Sequence, residues 1–185
     1  DHNIKNALKL VLHIPLRAEN LCNLKWNQIN FEKKILTIPR ENMKLSNINL
    51  DNFVMPLTDE VINILQEHKD MQLFSSKSKE YVFLGFNNRQ AINKESPNRA
   101  LYRLGFNDEK KGSKIRLHGF RGTFRSLIDT LDTKGRFNFE VKERALDHHD
   151  KNLVVRSYNH KANYQEQMIE LMKFWSEFIC KLGTN

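Results

Sequence analysis

The chain has 185 residues, enough for one domain with a full core and short for two. Its 30 Lys and Arg against 22 Asp and Glu leave a net charge of +8, a balance that favours polyanions, nucleic acid above all, over acidic partners. No apolar run approaches the roughly 20 residues that a helix needs to span a bilayer, and no secretory signal opens the chain, so the expected location is the cytoplasm.

Ile4, Leu8, Leu10, Val11 and Ile14 recur at helical spacing, and Pro15 stops the pattern by removing a backbone donor and restraining Ile14. The pattern is under way at a first residue that is not Met, which predicts a fragment of a longer protein. A second helix is expected over Ala18 to Trp26, with Leu21, Leu24 and Trp26 turned inward. Then the period shortens. Ile35-Leu36-Thr37-Ile38 and Phe53-Val54-Met55-Pro56-Leu57 read as two strands of a small antiparallel sheet, with Lys44 on or near their connection.

Thr58-Asp59-Glu60 caps a helix through Val61, Ile62, Leu65 and His68. A polar loop from Ser75 to Lys79 and a short apolar run, Tyr81 to Leu84, follow it. Ser96-Pro97 reads as a capped helix start with proline first, continuing through Leu101 and Leu104 to Gly105. The basic loop Lys110 to Lys114 precedes a helix from His118 that carries Phe120, Phe124, Leu127, Ile128 and Leu131. Asp132 to Asn138 is a loop with a glycine break. Glu140 to Leu146 is helical, and Asp147-His148-His149-Asp150 ends it. Gln165 to Leu182 is amphipathic, with Met168, Leu171, Met172, Trp175, Phe178, Ile179 and Leu182 in one stripe that reads first as core. The fold class is therefore α+β and mainly α-helical, a single domain over residues 1–185 with one small antiparallel sheet in the N-terminal third. Cys22 and Cys180 have apolar neighbours and suit reduced, buried thiols better than a disulfide.

The run Leu117-His118-Gly119-Phe120-Arg121-Gly122-Thr123-Phe124 carries the chemistry. A histidine three residues before an arginine, at a helix start, offers two polar groups on one face. With Arg17 upstream and Tyr158 downstream, the set suits attack by a phenol on a phosphodiester, two guanidiniums holding the anionic oxygens. A phenol has a reference pKa of about 10 and needs its proton drawn away before it attacks. No HExxH, CxxC or carboxylate cluster has ligand spacing, so neither a metal nor another cofactor is expected.

These residues resemble the catalytic domain of the tyrosine recombinases, especially integrases of prophages and genomic islands, nearly from end to end. Leu16-Arg17 with Leu24-Lys25-Trp26 is similar to the segment of that family's first catalytic arginine, and Met43-Lys44 before Val54-Met55-Pro56-Leu57 to its sheet lysine. His118-Gly119-Phe120-Arg121 matches its His-x-x-Arg box, and Ala145-Leu146-Asp147-His148 its leucine-x-histidine element. Ser157-Tyr158-Asn159-His160, with Ala162 and Tyr164 after it, resembles the nucleophile segment of island integrases. The resemblance implies that Arg17 and Arg121 hold the phosphate, that Lys44 protonates the leaving 5′ oxygen and that His118 accepts or organises the tyrosine proton. It implies in turn that His148 hydrogen-bonds the phosphate and that Tyr158 forms a 3′-phosphotyrosyl link. Lys44 competes with Lys33 and Lys34, Tyr158 with Tyr164, and His148 with His149. Asn20 departs from the acid that the family often has three residues after its first arginine; here Glu19 sits one place early.

Lys110, Lys111, Lys114 and Arg125 are expected phosphate contacts that add affinity without reading sequence. Implied partners are double-stranded DNA attachment sites, further copies in a homotetramer on DNA (a monomer for the isolated domain), and accessory DNA-bending or directionality factors. DNA-reading domains N-terminal to this chain and association with the bacterial nucleoid belong to the same expectation. The alternatives are a non-catalytic DNA-binding module of the same fold and a relative of type IB topoisomerases or resolvases.

Overall fold

The computed structural model describes residues 1–44, 46, 50–75, 79–148 and 164–183. The opening apolar pattern is helix α1, His2–His13, whose N-terminus is capped by the Asp1 carboxylate accepting from the Asn3 amide at 2.8 Å. Pro15 ends it as expected. Helix α2 is shorter than its pattern suggested, Ala18–Cys22, because the backbone beyond it bonds elsewhere. The Val82 amide donates to the Leu24 carbonyl and the Trp26 amide to the Glu80 carbonyl, so the chain turns extended at Lys25 to pair with Tyr81. Trp26 then begins a 3₁₀ turn. The short apolar run is buried by that pairing: Val82, Phe83 and Leu84 are all but inaccessible.

The sheet has three strands, not two. Strand β1, Ile29–Asn30, is too brief to leave a periodic signal and pairs antiparallel with β2, Ile35–Ile38, which pairs in turn with β3, Phe53–Pro56. Leu36 lies opposite Met55 and Ile38 opposite Phe53, so four buried apolar side chains share the inner face while Val54 faces outward. Helix α3 spans Asp59–Ser75. Helix α4, Glu95–Arg103, starts one residue before the expected Ser96 cap. Its N-cap is Lys94, and the first helical amide, of Glu95, donates at 2.8 Å to the side-chain oxygen of Asn93, one residue further out. Pro97 thereby falls in the third helical position, where its missing N–H had no partner to lose. Gly105 follows the helix with φ 92°, a left-handed geometry that glycine adopts without penalty.

Helices α5, Gly119–Leu131, and α6, Phe139–Ala145, are joined by a turn in which the Asp132 carboxylate accepts from the amides of Arg136 and Phe137 at 2.7 and 3.1 Å. The last helix, α7, spans Gln165–Leu182 and packs in its own domain. Leu171, Met172 and Trp175 are buried, the Trp175 ring stands edge-on to Phe124, and its Nε1 donates to the Leu12 carbonyl at 2.7 Å. The stripe is core through Trp175; Phe178 and Ile179 pack half-buried against it, and only Leu182 of its members is exposed, at 59%. Cys22 is buried and Cys180 half-buried, both as free thiols, and burial pushes Cys22 up to about 12. Among the described residues no helix is long and apolar enough to cross a membrane. The core lies between α1, the sheet, α5 and α7, and the polar groups of interest converge on one edge of it.

Candidate active site

Arg17 and Arg121 meet at the turn that follows α6. Arg121 lies in the first turn of α5 on the inward face, only 6% exposed, and its guanidinium donates to the Pro15 carbonyl at 2.7 Å and to the Leu146 carbonyl. It thus ties the α1–α2 corner to the end of α6. Burial first, and then the neighbouring charge of Arg17, lower the Arg121 guanidinium to about 10, with Asp147 acting the other way; it stays a cation at neutral pH. Arg17 sits just ahead of α2 and remains partly open, its side chain 19% exposed.

The turn after α6 has both hydrogen bonds of a Schellman motif. The His148 amide donates to the Glu143 carbonyl and the Asp147 amide to the Arg144 carbonyl, each at 2.9 Å. Such a motif needs a left-handed residue, usually glycine; here it is Asp147, with φ 52°. That conformation delivers a carboxylate, 2% exposed, between two arginines. Its Oδ2 accepts from Arg17 at 2.8 Å and its Oδ1 from Arg40, also at 2.8 Å, while its carbonyl accepts a second bond from Arg17 at 3.3 Å. Arg40 is itself buried in the β2–β3 connection, where its Nε donates to the Asp51 carbonyl at 2.7 Å. Neither Asp147 nor Arg40 was expected at the site. The only advance signal for Asp147 was a residue type that tolerates left-handed backbone at the end of a helical pattern; Arg40 left none.

His148 projects from the same turn, half exposed. Its Nδ1 lies 2.8 Å from Glu143 Oε2 and its Nε2 3.3 Å from an Arg121 nitrogen. An Nδ1–H donated to the carboxylate leaves Nε2 to accept from Arg121.

Lys44 follows a 3₁₀ turn, Arg40–Asn42, in the β2–β3 connection and is exposed. With Arg17 it lines a cavity of about 590 Å³ that Lys25, Asn42 and Tyr81 also border. Asn20 holds the wall of this cavity, its amide donating to the Asn42 carbonyl at 2.9 Å. An ionised acid at that position has no proton to give, which accounts physically for the departure noted in the sequence. Lys33 and Lys34 lie elsewhere, Lys34 pairing with Asp59 at the far end of β2.

His118 is exposed at the N-cap of α5, one helical turn from Arg121 on the backbone and turned outward where Arg121 is turned in. Tyr158 and His149 lie outside the described residues, so the nucleophile expected from the sequence is not placed. Tyr164 packs its ring against Arg144, 4.6 Å from the guanidinium carbon. In the basic loop Lys110 is exposed, while Lys114 pairs with Glu109 at 2.6 Å and Lys111 approaches Asp108 at 3.8 Å. Arg125 is engaged on both sides, with Glu143 at 2.6 Å and with Asp129.

A helical domain with a three-stranded sheet, gathering two arginines, a lysine and a histidine on one edge, has counterparts among known proteins. Residues 1–165 match the model of the phage integrase family; the chain belongs to that family, and its fold is that of the tyrosine-recombinase catalytic domain. It is 31% identical over 164 residues to the prophage integrase IntA of Escherichia coli (strain K12), covering 88% of this chain and 35% of that protein. It is 26% identical over 174 residues to the integrase of Shigella phage Sf6, covering 94% and 41%. The chain thus spans less than half the length of these relatives. Among solved structures, XerA recombinase superposes with a TM-score of 0.58 at 21% identity, over 89% of this chain and 58% of that one. The Tn1549 transposon integrase in complex with transposon right end DNA gives 0.54 at 15%, over 89% and 56%.

Proposed function

We propose that this chain is the catalytic part of a site-specific DNA recombinase that integrates or excises a prophage or genomic island. The convergence of Arg17 and Arg121 on one turn carries the reading, because two fixed guanidiniums, of which Arg17 lines an open cavity, suit the non-bridging oxygens of a phosphodiester. In this reading Tyr158 Oη attacks phosphorus, the P–O5′ bond breaks, and a 3′-phosphotyrosyl link conserves the bond energy for rejoining. Lys44 gives the departing 5′ oxygen its proton, and His118 accepts or organises the tyrosine proton. Arg17 and Arg121 stabilise the charge that builds on the non-bridging oxygens, and His148 hydrogen-bonds the same phosphate. Double-stranded attachment sites are the substrate. The active assembly is a homotetramer on DNA, served by N-terminal DNA-reading domains and by accessory bending or directionality factors. The Tn1549 integrase, of similar fold, was solved on transposon right end DNA and on circular intermediate DNA, which supports DNA as the partner.

The test is covalent trapping by the longer parent protein on a nicked suicide duplex carrying its attachment sequence, resolved on a denaturing gel. A DNA-linked band that Tyr158→Phe abolishes is the expected result. A band that survives in the mutant moves the nucleophile to Tyr164 or elsewhere. Salt-sensitive binding without any band favours a non-catalytic DNA-binding module, and relaxation without recombination a topoisomerase-like enzyme.

A further inference from the structure

We infer that Glu143 is a positioning residue for the reaction, holding His148 by its Nδ1 so that Nε2 faces the Arg121 guanidinium. The inference rests on the recombinase reading above and adds a residue to it. Its basis is the backbone of the turn after α6. In a Schellman motif the second residue past the helix end folds back over the residue five positions earlier, and an apolar contact usually forms there. In this chain those two positions are His148 and Glu143, and the contact is a hydrogen bond of 2.8 Å instead.

Glu143 is not free to turn away. Its other oxygen accepts from Arg125 Nε on α5 at 2.6 Å. Arg125 pairs onward with Asp129, Asp129 with Lys142 at 3.0 Å, and Lys142 with Asp132 at 3.1 Å. This run of alternating charge fixes the carboxylate against the same helix that carries Arg121. Burial alone would push the Glu143 carboxyl up, but the hydrogen bonds from Arg125 and His148 outweigh it and leave it below the usual carboxylate range, hence ionised at neutral pH. An ionised carboxylate accepts only. It therefore fixes a proton on Nδ1 and leaves Nε2 3.3 Å from Arg121; a bond from Nε2 to an oxygen of a phosphate held by that guanidinium requires a proton there too, so the tethered ring donates to phosphate as the imidazolium. A half-exposed histidine without this tether would sample several rotamers, and those other than the present one would withdraw Nε2 from Arg121. Arg125, expected from the sequence at the DNA backbone, acts in this arrangement as the anchor of Glu143.

The experiment is a double-mutant cycle in the full-length parent protein, reading the rate of covalent-complex formation on the suicide duplex and, separately, affinity for an uncleavable duplex. Glu143→Ala is expected to slow cleavage about 10–100-fold with affinity nearly unchanged, the range seen when a partner that orients an imidazole is removed. Glu143→Gln is expected to recover most of the rate, because its amide oxygen still accepts from Nδ1–H. In a His148→Ala background Glu143→Ala is expected to cost nothing further, since the residue it positions is already gone. Equal slowing in both backgrounds would mean a purely structural role and overturn the inference; so would an unaffected rate in Glu143→Ala. Should Glu143→Ala not fold, Glu143→Met, which keeps the packing of the stem beside α5, runs the same cycle. Absence of a covalent band from the wild type would overturn the recombinase reading itself, an outcome distinct from an additive cycle.

Discussion

Asp147 meets three demands that few residue types can satisfy together. Its backbone must be left-handed, at a cost of about 1–2 kcal/mol for a residue with a Cβ. Its carboxylate must neutralise a buried arginine, and it must leave Arg17 accessible from the other side. Glycine would meet the first demand alone. Arg40 is the residue that depends most on this carboxylate, since its guanidinium is almost wholly enclosed and Asp147 is its carboxylate partner. Replacing Asp147 by alanine is expected to destabilise the domain by about 3–5 kcal/mol, the usual consequence of leaving a buried charge uncompensated. Urea unfolding checks the magnitude. Asp147→Asn is expected to cost less, because asparagine tolerates the left-handed backbone and keeps an acceptor.

At the scale of elements, one histidine joins three segments. His68 on α3 is inaccessible, its Nδ1 3.0 Å from the Asn6 amide nitrogen of α1 and its Nε2 2.7 Å from the Val82 carbonyl. With Nε2 donating and Nδ1 accepting, both bonds belong to the neutral ring. Burial lowers its pKa from the ordinary 6.5 to about 4, overcoming the opposing pull of the Val82 carbonyl. Folded and unfolded chains are both neutral at His68 above 6.5, so the full stability is present there. As pH falls from 6.5 toward 4 the unfolded chain binds a proton that the folded chain refuses, and stability drops. The loss from this one group is about 2 kcal/mol between roughly pH 7 and roughly pH 5. His13 is lowered in the same direction, by burial first, and adds to the slope. Unfolding free energies measured across that interval should fall with acidity, and His68→Gln should flatten the curve whatever it does to the stability at neutral pH.

For the molecule as a whole, the charge of +8 is less available to a polyanion than the count suggests. Arg121, Arg40 and Lys142 are buried, Arg125 is bound to two acids, and Lys111 and Lys114 each have an acid within 4 Å. Under the recombinase reading the basic loop should contribute fewer than three released counterions. Replacing Lys110, Lys111 and Lys114 together by glutamine is expected to reduce the slope of log affinity against log salt by about 1–2, each full phosphate contact contributing about 0.9. Binding titrations of the parent protein over a range of salt measure this directly. An unchanged slope would remove the loop from the DNA interface.

Much of the architecture was legible in the chain because its signals are local. The apolar spacing of α1 and α7, the proline after α1, the glycine after α4 and the alternation along β2 and β3 each act within a few residues. The order of the motifs around Arg17, Lys44, Arg121 and His148 likewise sufficed for the family. Other features depended on partners distant in sequence. The length of α2 is set by carbonyls and amides near residue 81, the enclosure of Arg121 by carbonyls at Pro15 and Leu146, and the place of Arg40 by a carboxylate at Asp147. A sequence states which residues can donate, accept or carry charge, and how each short stretch prefers to coil. It does not state which of those groups lose their water together, and burial decides whether an arginine is a solvated cation or a fixed part of a site.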